Sequence, residues 1–569
     1  MKSIPISILF FILLMAISCH VLNLPDSYYH DDGYFAFAKG NDNSKARAIT
    51  EKSKYGYKTE TIQKVMDDLI EAKGMRSMIA PTLLVNNATR KVAFARPSDA
   101  IVGMEEKAYD ICASFGKDSL NAIAALMAHE LTHYYEKHDW KNQFEKDFGA
   151  SNMTKFDETE KLDIETQADY LGGFLAYQAG YNTLGIMPQF LEEVYRQYNF
   201  EEKLPGYPSL TERKNMAKKS EEKLIDLIHV FETANYLVAL GEYENAKKYY
   251  EYIVVKEKYQ SREMYNNLGV TAIHLALEFF PDGALKYIYP IELDINTRLG
   301  NGTKGMGDDL KKARDILINE AIMHFKNAQN LDQNYAPALL NLGCAYALQD
   351  NFFEADYHAR KAIQIGKKQN NNKLISDAQV LLGIIQAQQN ETAEATASFQ
   401  QAIKANNRLG TLNFNILQGV DNASPASTRD GSANIEQIEN ISLDKLVSQL
   451  NIGGLDVKKD FEINNKTQLA LLQNPSSKVL INFMPFDDAY HFFHIADASY
   501  NGKTSKGIQI NDPVDKITAN ENYGTPNRIV NTSNGLYLVY QGYRLIFEIN
   551  KENRVKNWVV FREQQKMTN

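Results

Sequence analysis

Residues 127–138 read MAHELTHYYEKH, and this stretch decides how the first third of the chain is understood. Its apolar and small residues continue back to Asp118-Ser119, a plausible N-cap, so the spacing predicts a helix over 118–138. On that helix His129 and His133 stand at i and i+4, so both imidazoles leave one face and can share one ion. Zinc accepts nitrogen ligands in a tetrahedral set and leaves a fourth position for water. Glu130 lies beside the first histidine, placed to take a proton from such a water.

The third ligand separates the classes of zinc site. A metzincin would place a further His at the sixth position after His133, and Asp139 occupies it. A second predicted helix, 157–179, ends at Gly180 and carries ETQAD. There Glu165 and Asp169 share one face. Glu165 is the expected third ligand, completing a His₂Glu set for one zinc ion per chain. Asp169 is expected to hydrogen-bond a ligand imidazole and fix its tautomer. Ala168 and the pair Gly172-Gly173 would let this helix approach the first one closely. His138 reads as structural.

With 569 residues, several domains are expected rather than one core. A net charge of −9, spread along the chain, argues against a nucleic-acid binder, which usually presents a basic face. Residues 1–18 read as a signal peptide: Lys2, an apolar run from Ile4 to Ala16, then Ala16-Ile17-Ser18 as the cleavage site. Cys19 follows at once, in the manner of a relaxed bacterial lipobox, so a lipid tether there is expected. Cys112 and Cys344 fall in different predicted domains and read as small buried side chains, not a disulfide.

Beyond the motif region, a helix is predicted at 60–73, two short strands within 82–95, and a third over 100–104. From 226 to 407 the chain turns helical and repetitive. Leu342-Gly343 with Ala355, Ala359 and Ala362, then Leu382-Gly383 with Ala395, Phe399 and Ala402, resemble tetratricopeptide repeats. Ala246, Tyr250 and Ile253 repeat the pattern. A split unit joins Leu268-Gly269 to Ala321, Phe325 and Ala328 across an insertion, about 278–309. Residues 408–440 read as a linker, most clearly 418–434, and 441–567 as a small C-terminal α/β or β-rich domain. In that domain a helix is expected at 441–451, with strands at 478–484, 490–496, 536–541, 543–549 and 555–561. His491 and His494 read as part of a packed hairpin rather than a second metal site.

His-Glu-x-x-His, His138 five residues on, and Glu-x-x-Ala-Asp followed by Leu-Gly together resemble the HtpX/BepA/OMA-type zinc metallopeptidases, gluzincins of peptidase family M forty-eight. The likeness covers about 60–220. Upstream, Ala93-Phe94-Ala95 resembles the strand beside which that family lays its extended peptide substrate, with Val92 in place of the usual Asn. Downstream, Tyr207-Pro208 and Arg213 resemble a His-Pro with a following Arg, so Tyr207 and Arg213 are candidate catalytic helpers.

The resemblance implies a multidomain, mainly α chain: an α+β zincin-like peptidase domain over 25–225, an α-solenoid of repeats, and the C-terminal domain. It implies a zinc endopeptidase in the cell envelope, acting on protein or peptide substrates, with envelope partners held by the repeats. The competing expectation is a non-enzymatic scaffold or chaperone-like binder with a structural zinc. Glu130 discriminates between them, because a purely structural site needs no general base.

Overall fold

The computed structural model describes residues 56–136, 156–203, 209–281, 283–291, 308–420, 435–451, 459–473, 477–484, 489–532, 535–550 and 552–564. The expected signal peptide, Cys19, His138 and Tyr207 lie outside them. Among the described residues no helix is long and apolar enough to cross a membrane.

Helix α1 (Gly56–Lys73) is followed by strands β1 (Thr82–Asn86), β2 (Ala93–Arg96) and β3 (Ile101–Glu105). They form a small sheet in the order β1-β3-β2, with β1 parallel and β2 antiparallel to β3. Helix α2 (Glu106–Ala113) leads into α3 (Ser119–Glu136), whose residues 122–132 are all buried. The run of small residues in α3 permits this, because helices and sheet can approach from several sides. Helices α4 (Phe156–Gln178) and α5 (Ile186–Tyr198) complete the surround.

Helix α6 (Leu210–Leu240) is the long strut of the molecule. Ser209 caps its start in a reciprocal capping box with Glu212, and Gly241, at φ +88°, ends it in the left-handed conformation. The domain boundary expected at 225/226 falls inside this helix: its apolar stripe continues unbroken from Leu224 through Leu227, Ile228 and Leu237.

Helices α7 (Tyr243–Glu251), α8 (Arg262–Leu277), α9 (Asp308–Leu331), α10 (Ala336–Leu348), α11 (Phe352–Lys368), α12 (Asn372–Gln388) and α13 (Thr392–Lys404) follow. They are mainly helices packed in consecutive pairs, consistent with a repeat solenoid. Close approach explains the Leu-Gly positions. A Cβ on Gly269 would meet Phe325 Cε1 at 2.4 Å, and one on Gly383 would meet Phe399 Cδ1 at 2.5 Å. The split unit is therefore joined across its insertion. The turns share a further device: Asp350, Asn370, Asn390 and Asn406 each take positive φ between helices, which Asn and Asp tolerate best among residues with a side chain.

Residues 408–417, expected as linker, form helix α14 (Arg408–Leu417). Asn407 caps it, and Gly410 lies against Ala402, so it closes the array.

After α15 (Leu443–Asn451) comes an eight-stranded antiparallel sheet: β4 (Lys459–Asn464), β5 (Thr467–Gln473), β6 (Ser477–Met484), β7 (Ala489–Ala496), β8 (Arg528–Thr532), β9 (Gly535–Tyr540), β10 (Leu545–Asn550) and β11 (Val555–Gln564). Their spatial order is β4-β5-β6-β7-β11-β10-β9-β8. Strands β4, β5 and β8 were not expected from sequence, and two of them are the sheet's edges.

One face packs on α6 and α7. Tyr236 meets Phe493 and Tyr537 with ring centroids 5.4 and 5.8 Å apart, Lys478 pairs with Glu232 at 2.7 Å, and Arg528 donates to the Tyr243 hydroxyl. The other face is covered by α15 and the 508–523 segment around Trp558. Every residue of β7 is consequently buried.

Candidate metal centre

Helix α3 supplies His129, Glu130 and His133; α4 supplies Glu165 and Asp169; the first turn of α6 supplies Arg213. The two motif helices meet where a side chain is missing. A Cβ on Gly172 would lie 2.9 Å from the Ala128 carbonyl and from the His129 nitrogen, so only glycine permits this separation. Gly173 faces the other way, against Leu224 of α6. Ala168 is fully buried in the same seam.

The donors converge. His129 Nε2 and His133 Nε2 are 3.0 Å apart, and the Glu165 carboxylate oxygens lie 3.5 Å from the first and 3.6 Å from the second. The carboxylate separations are too long for good hydrogen bonds. They suit ligands of one ion, since tetrahedral bonds of about 2.1 Å place ligand atoms roughly 3.4 Å apart. All three donor atoms lie within 4.8 Å of one another. This His₂Glu set fits zinc and leaves a position for a fourth ligand.

Asp169 Oδ1 stands 2.7 Å from His129 Nδ1. With the proton on Nδ1, that bond leaves the Nε2 lone pair directed at Glu165 and His133. Glu130 is 1% exposed, on the same helix turn as His129. The Arg213 guanidinium, also buried, reaches within 3.8 Å of Glu165.

The electrostatics favour positive charge at this point. Burial alone would push the His129 imidazole down, but Asp169 and Glu165 outweigh it and leave it up at about 10. Burial would raise the Glu165 carboxyl, yet His129, His133 and Arg213 hold it well below the usual carboxylate range.

The structure thus brings together His129, His133, Glu165, Asp169 and Arg213. Strand β2, with Ala93, Phe94 and Ala95, runs beside α3 at the edge of its sheet. Cys112 and Cys344 are both free and buried.

A cluster that sequence reasoning did not assemble lies elsewhere: Glu242, His491 and Glu563 also bring their ligand atoms within 4.8 Å. Pairing of β7 with β11 joins His491 to Glu563, and packing of the sheet on α7 adds Glu242, so no local spacing announces them.

No protein-family profile matches the chain. No curated protein matches it. Among solved structures it is similar to one titled as the crystal structure of the APC/C hetero-tetramer Cut9-Hcn1, at 11% identity over 53% of this chain and 70% of that one. The TM-score is 0.14, too low to carry an argument about fold or function.

Proposed function

We propose that this chain is a zinc-dependent metalloendopeptidase that cleaves exported or membrane-associated proteins, with its helical repeats recruiting the substrate or a partner. The observation that supports this best is the meeting of His129, His133 and Glu165 around one point, with Asp169 bonded to His129 and Glu130 in the adjacent position. A zinc ion held there would polarise the scissile carbonyl and make a bound water acidic enough to attack an amide near neutral pH.

The chain's own residues have separate tasks. Glu130 takes the water's proton and returns it to the leaving amine. Asp169 accepts a hydrogen bond from His129 Nδ1–H and so orients the ring. Arg213 offsets the charge of Glu165, and Tyr207 offers a hydroxyl to the developing oxyanion. Export, with a lipid on Cys19, belongs to the same reading.

Zinc analysis of the purified protein beside casein cleavage, with and without chelator, tests it. Bound zinc with chelator-sensitive cleavage is expected. Bound zinc with no cleavage of casein or envelope proteins would favour the scaffold with a structural ion.

A further inference from the structure

The second cluster sits on the face of the sheet that packs against α7. Strand pairing places Asn482 opposite His491 and His491 opposite Glu563, so the three form a row across β6, β7 and β11 on one face. Glu242, the N-cap of α7 in the tight turn after α6, comes down on that row. Its Oε2 stands 3.6 Å from His491 Nε2, a ligand-to-ligand spacing rather than a hydrogen bond.

We propose that Glu242, His491 and Glu563 form a second site for a divalent transition-metal cation, which fastens the C-terminal sheet to the turn between α6 and α7.

Burial supplies an observation independent of the acidic pair. His491 is 1% exposed, and its Nε2 makes no hydrogen bond among the described residues, although a buried polar nitrogen ordinarily has one. The nitrogen points at two carboxylates, where an ion would satisfy it.

The other side of the ring is already held. Asn482 lies between the Tyr249 hydroxyl, 2.9 Å from Oδ1, and His491 Nδ1, 3.1 Å from Nδ2. A tyrosine hydroxyl both donates and accepts, so the amide can turn over without losing a partner. Turned, its oxygen accepts the Nδ1 proton and leaves the Nε2 lone pair for the metal, the arrangement that ligating histidines favour.

The nearby cations have other partners: Lys248, whose charge also acts on Glu242, donates to Asn245 at 3.1 Å and pairs with Glu244 at 3.4 Å. Arg562 and Arg544 lie 3.0 and 3.7 Å from Asp444 of α15, on the opposite face of the sheet. Glu563 is exposed, which opens a route for the ion. One imidazole with two carboxylates suits a borderline dication such as Zn²⁺, Ni²⁺ or Cu²⁺ better than Ca²⁺ or Mg²⁺, which prefer all-oxygen sets.

The test is calorimetric titration of the metal-free full chain with zinc chloride. Wild type should take up two equivalents. Glu563→Gln, which alters only an exposed side chain, should lose one equivalent and keep the other; His491→Gln and Glu242→Gln should do the same. His133→Gln should lose the complementary equivalent. The proposal is overturned if wild type binds a single equivalent that His133→Gln abolishes, or if both equivalents survive Glu563→Gln. If His133→Gln leaves both equivalents intact while Glu563→Gln removes one, the second site stands and the reading of the first fails.

Discussion

Gly172 and His129 touch backbone to Cα at the crossing of α3 and α4, with 2.9 Å left for any atom placed on Gly172. Gly172→Ala would force the helices apart, an overpacking worth about 1–3 kcal/mol. Because the same crossing carries Glu165 toward the histidines, zinc affinity should fall along with stability. Thermal unfolding beside zinc titration checks this; an unchanged affinity would mean that the ligands tolerate a wider crossing.

Glu130→Gln leaves all three ligands in place and removes the base. The variant should retain zinc while cleavage falls ~10²–10⁴-fold. Undiminished cleavage would take Glu130 out of the reaction.

In the proposed zinc site Asp169 would act on the ion only through the His129 ring, to which it is bonded at 2.7 Å. Asp169→Asn should therefore weaken zinc binding by about 10–100-fold, and Glu165→Ala by more, since it removes a ligand. The reverse order in a competition titration would exchange their roles.

His274 predicts part of the acid response. It is buried against Tyr243, ring centroids 4.2 Å apart, and burial with the nearby Arg528 charge pushes it down to about 3. Between that value and the unfolded value of about 6.5, the unfolded chain holds a proton that the folded chain refuses. Stability therefore falls as pH falls through this window, by about 3 kcal/mol at pH 4.5 from this residue. In His274→Gln the denaturation midpoint should depend less on pH between 4.5 and 7. Equal slopes would show that the ring is hydrated.

The C-terminal sheet should be required by the helices it covers. Phe493→Ala, opposite Tyr236, should cost about 3–5 kcal/mol. A chain cut at 225 ends in the middle of α6 and should give no cooperative unfolding transition. If that fragment unfolds cooperatively and binds zinc, the N-terminal unit is self-sufficient.

The first site was legible because its geometry is local. His129 with His133, and Glu165 with Asp169, each lie four residues apart on a helix, and such pairs share a face wherever the helix goes. Repeat positions such as Gly269 and Phe325 were legible for a similar reason, since small residues at fixed offsets mark close helix contacts. The edge strands β4 and β8 were not: β4 alternates only over Phe461 and Ile463, set among Lys459, Asp460 and Glu462, and β8 is five residues long, as suits short, charged strands with one unpaired side. Strand β7, buried throughout although it carries His491 and His494, reads as an ordinary hairpin strand until α6 is found on its second face. Glu242 and His491 meet only through that packing, which no short window of sequence contains.

The pairing of the sheet with α6 and α7 also sets a timetable. Tyr249 waits for Asn482, 233 positions later, Glu232 for Lys478, 246 later, and Tyr243 for Arg528, 285 later. At the roughly 5–20 residues per second of chain synthesis, the interval is ~10–60 s. During it the aromatic flank around Tyr236 stands bare while the helical array is being made. The array is thus an excursion between two halves of one core, which closes only when the last strands arrive.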